Sequence, residues 1–144
     1  MRAEGDQEEW TRHRREAIET KERALRAARD AEHEKATAMI REGVARFEHA
    51  GIAPVPLRAR PYRGGGTIRT SLTGWYLKQD RSLAVDREGR YYVLRVDGDI
   101  RARLRGATPA PGLAPLIVGR GARDGDTFLL EELLEKRLQD PVPA

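Results

Sequence analysis

The sequence contains no cysteine and no long apolar run. The absence of cysteine excludes disulfide bonds, thiolate zinc sites and a cysteine nucleophile. No stretch approaches the ~18 consecutive apolar residues of a membrane-spanning helix, so we expect no membrane partner. The first ten residues, MRAEGDQEEW, are acidic and lack the apolar core of a signal peptide. We therefore expect a cytoplasmic protein.

Lysine is scarce, whereas arginine is abundant, with 4 and 23 residues respectively. This bias is typical of a skewed genomic base composition, and it is also typical of phosphate recognition by the forked guanidinium group. The positive charge is concentrated in the middle of the chain, where residues 51–105 carry 12 basic and 5 acidic side chains. The two flanking regions are slightly acidic, so any positive field belongs to the middle third.

Residues 6–50 carry the signals of one continuous helix. No proline or glycine lies between Asp6 and Glu42, whereas Gly51 and Pro54 supply a stop signal after it. At about 1.5 Å per residue, such a helix would be roughly 65 Å long. A domain of this size has no surface long enough to cover it, so we expect part of the helix to project into solvent.

The two halves of this helix differ in their apolar residues. The second half has the spacing of a helix docked on a core, with Ala36, Met39, Ile40, Gly43, Val44 and Phe47. The first half has only a thin, alanine-rich seam between charged residues, which is the candidate partner-binding site. Its members are Trp10, Ala17, Ile18, Ala24, Leu25 and Ala31. This seam would pack against a second copy or another protein, or it would belong to a solvated helix without a partner.

The middle of the chain is predicted to form an antiparallel meander. VPLRAR at residues 55–60 alternates as a strand does, and the glycine-rich PYRGGGTIR at residues 61–69 indicates a loop. The register that keeps apolar residues on one face pairs Leu77 with Leu83, Val85 with Tyr92, and Val96 with Ile100. The predicted inward residues are Trp75, Leu77, Leu83, Val85, Tyr92, Leu94, Val96, Ile100, Ala102 and Leu104.

The last third of the sequence predicts a connector, a short strand and a final helix. The connector ATPAPGLAP precedes a buried strand at residues 116–119, and a helix begins near Asp126 or Thr127. The glycine-rich GRGARDGD at residues 119–126 is read as a turn and helix cap, because no Lys-Ser/Thr pair of a phosphate-binding loop follows it. The apolar stripe of this helix is Leu130, Leu133, Leu134 and Leu138.

Together these elements predict an α+β fold. It consists of a long N-terminal helix, a small antiparallel meander sheet of about five to six strands, and a C-terminal helix packed on one sheet face. We divide the chain into a projecting charged helix, residues 1–35, and a small α+β domain, residues 36–144.

The outward face of the predicted sheet would be rich in arginine and tyrosine. Arg95 would lie opposite Arg101, and opposed like charges destabilise a sheet unless the side chains splay into water, pair with acids or bind an anion. Tyrosines beside arginines suit nucleic acid, because bases stack on the rings and phosphates pair with the guanidinium groups. The candidate nucleic-acid-binding residues are Arg58, Arg60, Arg63, Arg69, Tyr76, Lys78, Tyr91, Arg95, Arg101, Arg103 and Arg105.

The sequence has no recognisable catalytic or metal-binding motif. HEKAT at residues 33–37 begins like the zinc motif HExxH but has Thr37 where the second ligand belongs. His13, His33 and His49 lie on the charged helix, where a solvated side chain is the ordinary state. No serine has the G-x-S-x-G context of a hydrolase nucleophile. We therefore expect no catalytic residue, no metal and no cofactor.

Two functions from different classes follow from these patterns. The first is a non-enzymatic binding or assembly module, in which the long helix or the sheet face meets a protein partner or a second copy. The alternative is a nucleic-acid-binding protein, which would hold RNA or DNA on the arginine-rich sheet face and the Arg-Gly loop. An enzyme is the third option, and a cleft with two or more carboxylates of shifted pKa would favour it.

Overall fold

The computed structural model describes residues 2–119 and 127–144. Helix α1 spans Arg2–His49 without interruption, so the predicted single N-terminal helix is confirmed. Its residues 3–31 are all exposed, and the first partly buried side chains are those of Glu32 and His33. The predicted docking stripe is also confirmed, because Ala36, Ile40, Val44 and Phe47 are buried in the core.

Five strands form one mostly antiparallel sheet. They are β1 (Val55–Pro61), β2 (Ile68–Tyr76), β3 (Leu83–Val85), β4 (Tyr91–Val93) and β5 (Arg95–Val96). Their order in the sheet is β4-β3-β2-β1-β5, with only β1 and β5 parallel.

A single residue closes this sheet on itself. Leu94 separates β4 from β5, its N–H donates to Ser82 O at 2.8 Å, and its carbonyl accepts from Arg60 N at 3.0 Å. The run 91–96 therefore pairs with β3 at its start and with β1 at its end, which makes a small barrel. Closure of this kind satisfies the hydrogen bonds that an edge strand would leave open.

The sheet is buried on both faces rather than on one. The outer core cluster packs β2, β3 and β4 against helices, with Trp75, Leu77, Leu83, Val85 and Tyr91 on the sheet side. The inner cluster fills the barrel with Leu57, Ala59, Tyr76, Ala84, Tyr92 and Leu94. The prediction that Leu94 and Tyr92 share a face with Trp75 is therefore wrong, because barrel closure creates a second interior.

The turn between β3 and β4 shifts the predicted register by one residue. Leu77 N donates to Leu83 O at 2.8 Å, as the predicted pairing requires. Val85, however, pairs with Tyr91 and not with Tyr92. The physical reason is a longer turn, in which Asp86 closes the loop on Arg90. A one-residue shift moves every following side chain to the other face of a strand.

Residues 100–105 form a helix, although they are predicted as the last strand of the meander. Helix α2 spans Ile100–Arg105, and Asp99 caps it by accepting a hydrogen bond from Ala102 N at 2.8 Å. Ile100 and Leu104, predicted as inward, are 77% and 72% exposed. Ile100, Ala102 and Leu104 alternate as the inward residues of a strand would. Ile100 and Leu104 are also four residues apart, so they lie on the same face of a helix, and the pattern fits both structures.

A second, two-stranded sheet joins β6 (Ile117–Val118) to β7 (Phe128–Leu129). The predicted strand at residues 116–119 is confirmed by β6. Helix α3 spans Leu130–Gln139, and it begins later than predicted because Phe128 and Leu129 pair with β6. The predicted turn and helix cap at 119–126 lie almost wholly outside the described residues.

Helix α1 also anchors the proline-rich connector. Ala114 N donates to His33 Nδ1 at 2.9 Å, and Leu116 N donates to a Glu32 carboxylate oxygen at 3.1 Å. His33 is therefore a structural acceptor, not the solvated side chain that its charged helix predicts. Among the described helices, none is long and apolar enough to cross a membrane.

Candidate functional site

The first candidate surface is the arm, which we define as residues 2–31 of α1. Its apolar side chains stay in water, with Trp10 62%, Ile18 50% and Leu25 51% exposed. Ala17, Ala24 and Ala31, the other members of the predicted partner-binding seam, are exposed as well. The seam is therefore accessible along its whole length, and whether it binds a partner stays a prediction.

Charge is distributed unevenly along the arm. Residues 3–11 contain four acids and no lysine or arginine, whereas residues 12–29 contain seven basic and three acidic side chains. The arm thus has an acidic tip and a basic middle. Its side-chain contacts are local and exposed, such as His13 Nε2 at 3.8 Å from a Glu9 carboxylate oxygen, and contacts of this kind contribute little to stability.

The second candidate surface is the outer side of strands β5, β1 and β2. We call it the arginine surface and define it by Arg58, Arg60, Arg69 and Arg95. Arg58 lies directly opposite Arg69 in the β1–β2 pair, and Arg60 lies directly opposite Arg95 in the β1–β5 pair. Residues opposed in this way project on the same side of a sheet, so two like-charged pairs face solvent together.

No carboxylate within residues 2–119 and 127–144 forms an ion pair with these four arginines. Arg58 Nε donates to Thr67 Oγ1 at 2.7 Å, and Arg69 Nη2 donates to Leu104 O at 3.3 Å. The Arg95 guanidinium lies 5.7 Å from the centre of the Tyr62 ring. The prediction that Arg95 lies opposite Arg101 is wrong, because Arg101 belongs to helix α2. The residue opposite Arg95 is Arg60.

The remaining predicted arginines surround this surface without sharing its strands. Arg63 is exposed in the glycine-rich loop, and the three arginines of α2 are exposed beside the start of β2. Arg103 Nε donates to Gly98 O at 3.1 Å, and this guanidinium also approaches Gly64. The arginines of α2 are Arg101, Arg103 and Arg105. Because they lie on a helix beside the sheet, they extend the basic region beyond the strands.

Tyr76, Tyr91 and Lys78 do not belong to the arginine surface. Tyr76 is 3% exposed, and its hydroxyl accepts a hydrogen bond from Arg58 N at 2.9 Å inside the barrel. Tyr91 is 6% exposed, and burial raises its pKa to about 12. The prediction that these two rings lie open on the sheet is therefore wrong. Lys78 lies 3.8 Å from a carboxylate oxygen of Asp80.

Tyr62 is the aromatic residue that the sequence reasoning missed. It is 61% exposed, it follows β1, and it lies beside Arg95. Its position directly after Pro61 at the head of the glycine-rich loop is the signal that was available. An exposed ring next to a guanidinium can stack on a base or another flat group.

Carboxylates with unusual environments serve structural roles. Partial burial would raise the pKa of Asp80, but hydrogen bonds from Ser82 and the charges of Lys78 and Arg60 hold it below its ordinary value. Asp86 is buried and accepts from the Tyr92 hydroxyl at 2.9 Å and from Arg90 Nε at 2.7 Å. Both close turns in the barrel, so neither has the geometry of a paired general acid and base.

Comparisons with protein-family models, with curated proteins and with solved structures found no match to this chain. The geometry therefore carries the functional argument by itself. It provides two accessible surfaces, the arm and the arginine surface, on a closed barrel. Among the described residues, no group of three or more histidines and carboxylates is arranged to hold a metal ion.

Proposed function

We propose that the protein is a non-enzymatic assembly module that associates with a second copy of itself through the arm. The observation that carries this proposal is the exposure of Trp10, Ile18 and Leu25 along a helix that the domain leaves uncovered. Burying such side chains against another helix is favourable by about 25 cal/mol per Å² of apolar area. The alanines between them permit close approach of the partner.

The charges of the arm favour an antiparallel arrangement. Pairing two arms about a point between Ala17 and Ile18 would set Trp10 of one copy opposite Leu25 of the other. It would also set the acidic tip, residues 4–9, against a basic stretch that includes Arg26 and Arg29. A parallel arrangement would instead place tip beside tip and oppose like charges.

The test is sedimentation velocity of the full chain over a wide concentration range. We expect a reversible monomer–dimer equilibrium that weakens at least tenfold in the triple variant Trp10→Ala, Ile18→Ala, Leu25→Ala. High salt should weaken the dimer too, because the tip and the basic stretch are solvent-exposed. A monomer at every concentration in the unmodified chain would overturn the proposal.

A matched control uses the opposite face of the same helix. Glu16→Ala, Arg23→Ala and Asp30→Ala also place three alanines at intervals of about two helical turns, and they leave the apolar seam intact. We expect this variant to retain the dimerisation affinity of the unmodified chain. Equal weakening by both triple variants would indicate a general loss of helix structure, which circular dichroism of both proteins checks directly.

We propose binding of nucleic acid on the arginine surface as a second function. The pairs Arg58–Arg69 and Arg60–Arg95 favour it, because directly opposed like charges are costly in a sheet and a phosphate bound between them would lower that cost. With Tyr76 and Tyr91 buried, recognition would come mainly from phosphate contacts and would depend little on base sequence.

The test is a fluorescence anisotropy titration with single-stranded and duplex oligonucleotides at several salt concentrations. Phosphate contacts predict that log K falls linearly with log salt, with a slope near −0.9 per contact on duplex DNA. The double variant Arg60→Gln, Arg95→Gln should weaken binding and flatten that slope by about two contacts. Arg12→Gln with Arg15→Gln on the arm removes the same charge and serves as the control. Absence of binding at low salt would end this second proposal.

A further inference from the structure

Arg137 on α3 is a buried cation whose hydrogen bonding is incomplete within the described part of the chain. Its side chain is 7% exposed, and its Nε and Nη1 atoms have no hydrogen-bond partner in the described part of the chain. Asp140, at the end of the same helix, accepts instead from Gln79 at 3.0 Å. Because burying an unpaired charge is costly, a guanidinium in this state is expected to have a partner that completes it.

Arg137 lines a cavity of about 120 Å³ between the barrel, α3 and the C-terminal segment. Ile52, Val55 and Trp75 provide apolar walls on the barrel side. The Trp75 indole N–H already donates to Ile52 O at 2.9 Å, so the ring presents only apolar surface to the cavity. Arg137 is therefore the charged group that a ligand would meet.

The C-terminal segment forms the remaining wall of the cavity. Pro141, Val142 and Pro143 line it, and Val142 is buried in the barrel cluster. Arg81 Nη2 donates to Pro143 O at 3.2 Å, which holds this wall in place. The cavity is thus built from residues far apart in the sequence.

We propose that this cavity binds a small monocarboxylate with a short branched or flat apolar body. The carboxylate pairs with Arg137, and the apolar body lies against Trp75, Ile52 and Val55. The size agrees with this class, because an apolar cavity of about 150 Å³ accommodates benzene, a molecule of six heavy atoms. A phosphate or a dicarboxylate would bring a second charge into apolar walls that offer no partner for it.

The test uses isobutyrate as the probe and isobutyramide as its uncharged counterpart. We expect isobutyrate to raise the thermal midpoint of the full chain with increasing concentration, at constant ionic strength, because a ligand stabilises the state that binds it. Isobutyramide should raise it at least tenfold less effectively. Equal effects of the two compounds would overturn the proposal, since the guanidinium would then contribute nothing.

Arg137→Met tests the residue itself, and Lys136→Met removes the neighbouring charge on the same helix as a control. We expect the first variant to lose the response to isobutyrate and the second to keep it. Arg137→Met should remain folded, because an unbranched apolar side chain fills the same space without a buried charge. Nuclear magnetic resonance shifts of the Trp75 indole on titration give a second readout. A Trp75 signal that isobutyrate leaves unchanged would also overturn the proposal.

Discussion

Asp86 illustrates how one short side chain sets the pairing of two strands. One carboxylate oxygen accepts from the backbone N–H groups of Glu88 and Arg90, at 3.1 and 2.9 Å. The other accepts from Arg90 Nε and from the Tyr92 hydroxyl. These four hydrogen bonds close the turn at a length that puts Tyr91 on the helix-covered face and Tyr92 inside the barrel.

Asp86→Ala should therefore destabilise the protein by about 3 kcal/mol, because it leaves buried donors without an acceptor. Urea unfolding followed by circular dichroism measures the change. Asp97→Ala, which removes an exposed aspartate from the next loop, is the control and should cost less than about 0.5 kcal/mol. Similar losses in both variants would contradict the role assigned to Asp86.

Burial of Tyr91 makes the folded protein less stable at alkaline pH. Burial raises its pKa to about 12 in the folded protein, whereas an unfolded chain has a tyrosine pKa of about 10. The folded state therefore holds this proton more tightly, and the stabilisation is complete below pH 10. It is lost as the pH rises from about 10 to 12, and the total loss is about 2–3 kcal/mol.

Tyr91→Phe should remove this part of the alkaline loss, because phenylalanine has no proton to release. Urea unfolding at a series of pH values between neutral and strongly alkaline gives the comparison. Tyr62→Phe replaces an exposed ring and should leave the profile of the unmodified protein intact. If the Tyr91 and Tyr62 variants had identical profiles, burial of Tyr91 would not be the cause.

At the scale of elements, local pattern predicts helices better than strand pairing. The docking half of α1 and the apolar stripe of α3 are evident from spacing alone, because one helix face meets the core. Alternating residues at 100–104 satisfy both strand and helix patterns, and the capping side chain of Asp99 decides for the helix. An aspartate directly before residues 100–105 is a typical helix N-cap, so the sequence itself contained a signal that favours a helix over a strand here.

Gly74 on β2 lies against the backbone of β3 at Val85. A Cβ atom at this position would lie 2.1 Å from the Val85 carbonyl oxygen. This clash is with a backbone atom, so the two strands would have to move apart to remove it. Gly74→Ala should cost about 3 kcal/mol through disrupted pairing. Gly65→Ala, with nothing within 4 Å of its added methyl group, is the control. Chemical denaturation of both variants tests this, and an unchanged midpoint for Gly74→Ala would contradict it.

At the scale of the whole molecule, two features matter together: a barrel closed at Leu94 and an arm that leaves it. The barrel provides a rigid base with few open strand edges. The arm places an apolar and charged surface away from that base, at a distance set by the rise of the helix. This separation allows the arm and the arginine surface to be tested by independent substitutions.

Small-angle X-ray scattering should show an elongated monomer. Helix α1 has 48 residues, which corresponds to roughly 72 Å at about 1.5 Å per residue. We expect a maximum dimension above about 70 Å at low concentration, against the compact shape of a domain of similar length. A maximum dimension well below this value would mean that the arm folds back on the domain.

The sequence by itself determined the elements whose signals are local. The uninterrupted α1, its buried half, the first strand, the α+β class and the basic middle third all follow from residues near one another. Helix periodicity and stop signals act over a few turns, so they can be read without knowing the fold. The candidate residues on the arm belong to this group, because exposure there follows from the lack of a docking stripe.

Only the tertiary structure decided which side chains meet across the chain. Closure at Leu94 brings Arg95 beside Arg60 and turns one sheet face into an interior, which buries Tyr76 and Tyr92. The cavity at Arg137 likewise joins the start of β1, the end of β2 and the C-terminal segment. Such contacts depend on turn length and on a parallel pairing between distant strands. A turn that is longer by one residue moves the following side chains to the opposite face of the sheet, because side chains alternate between the two faces along a strand.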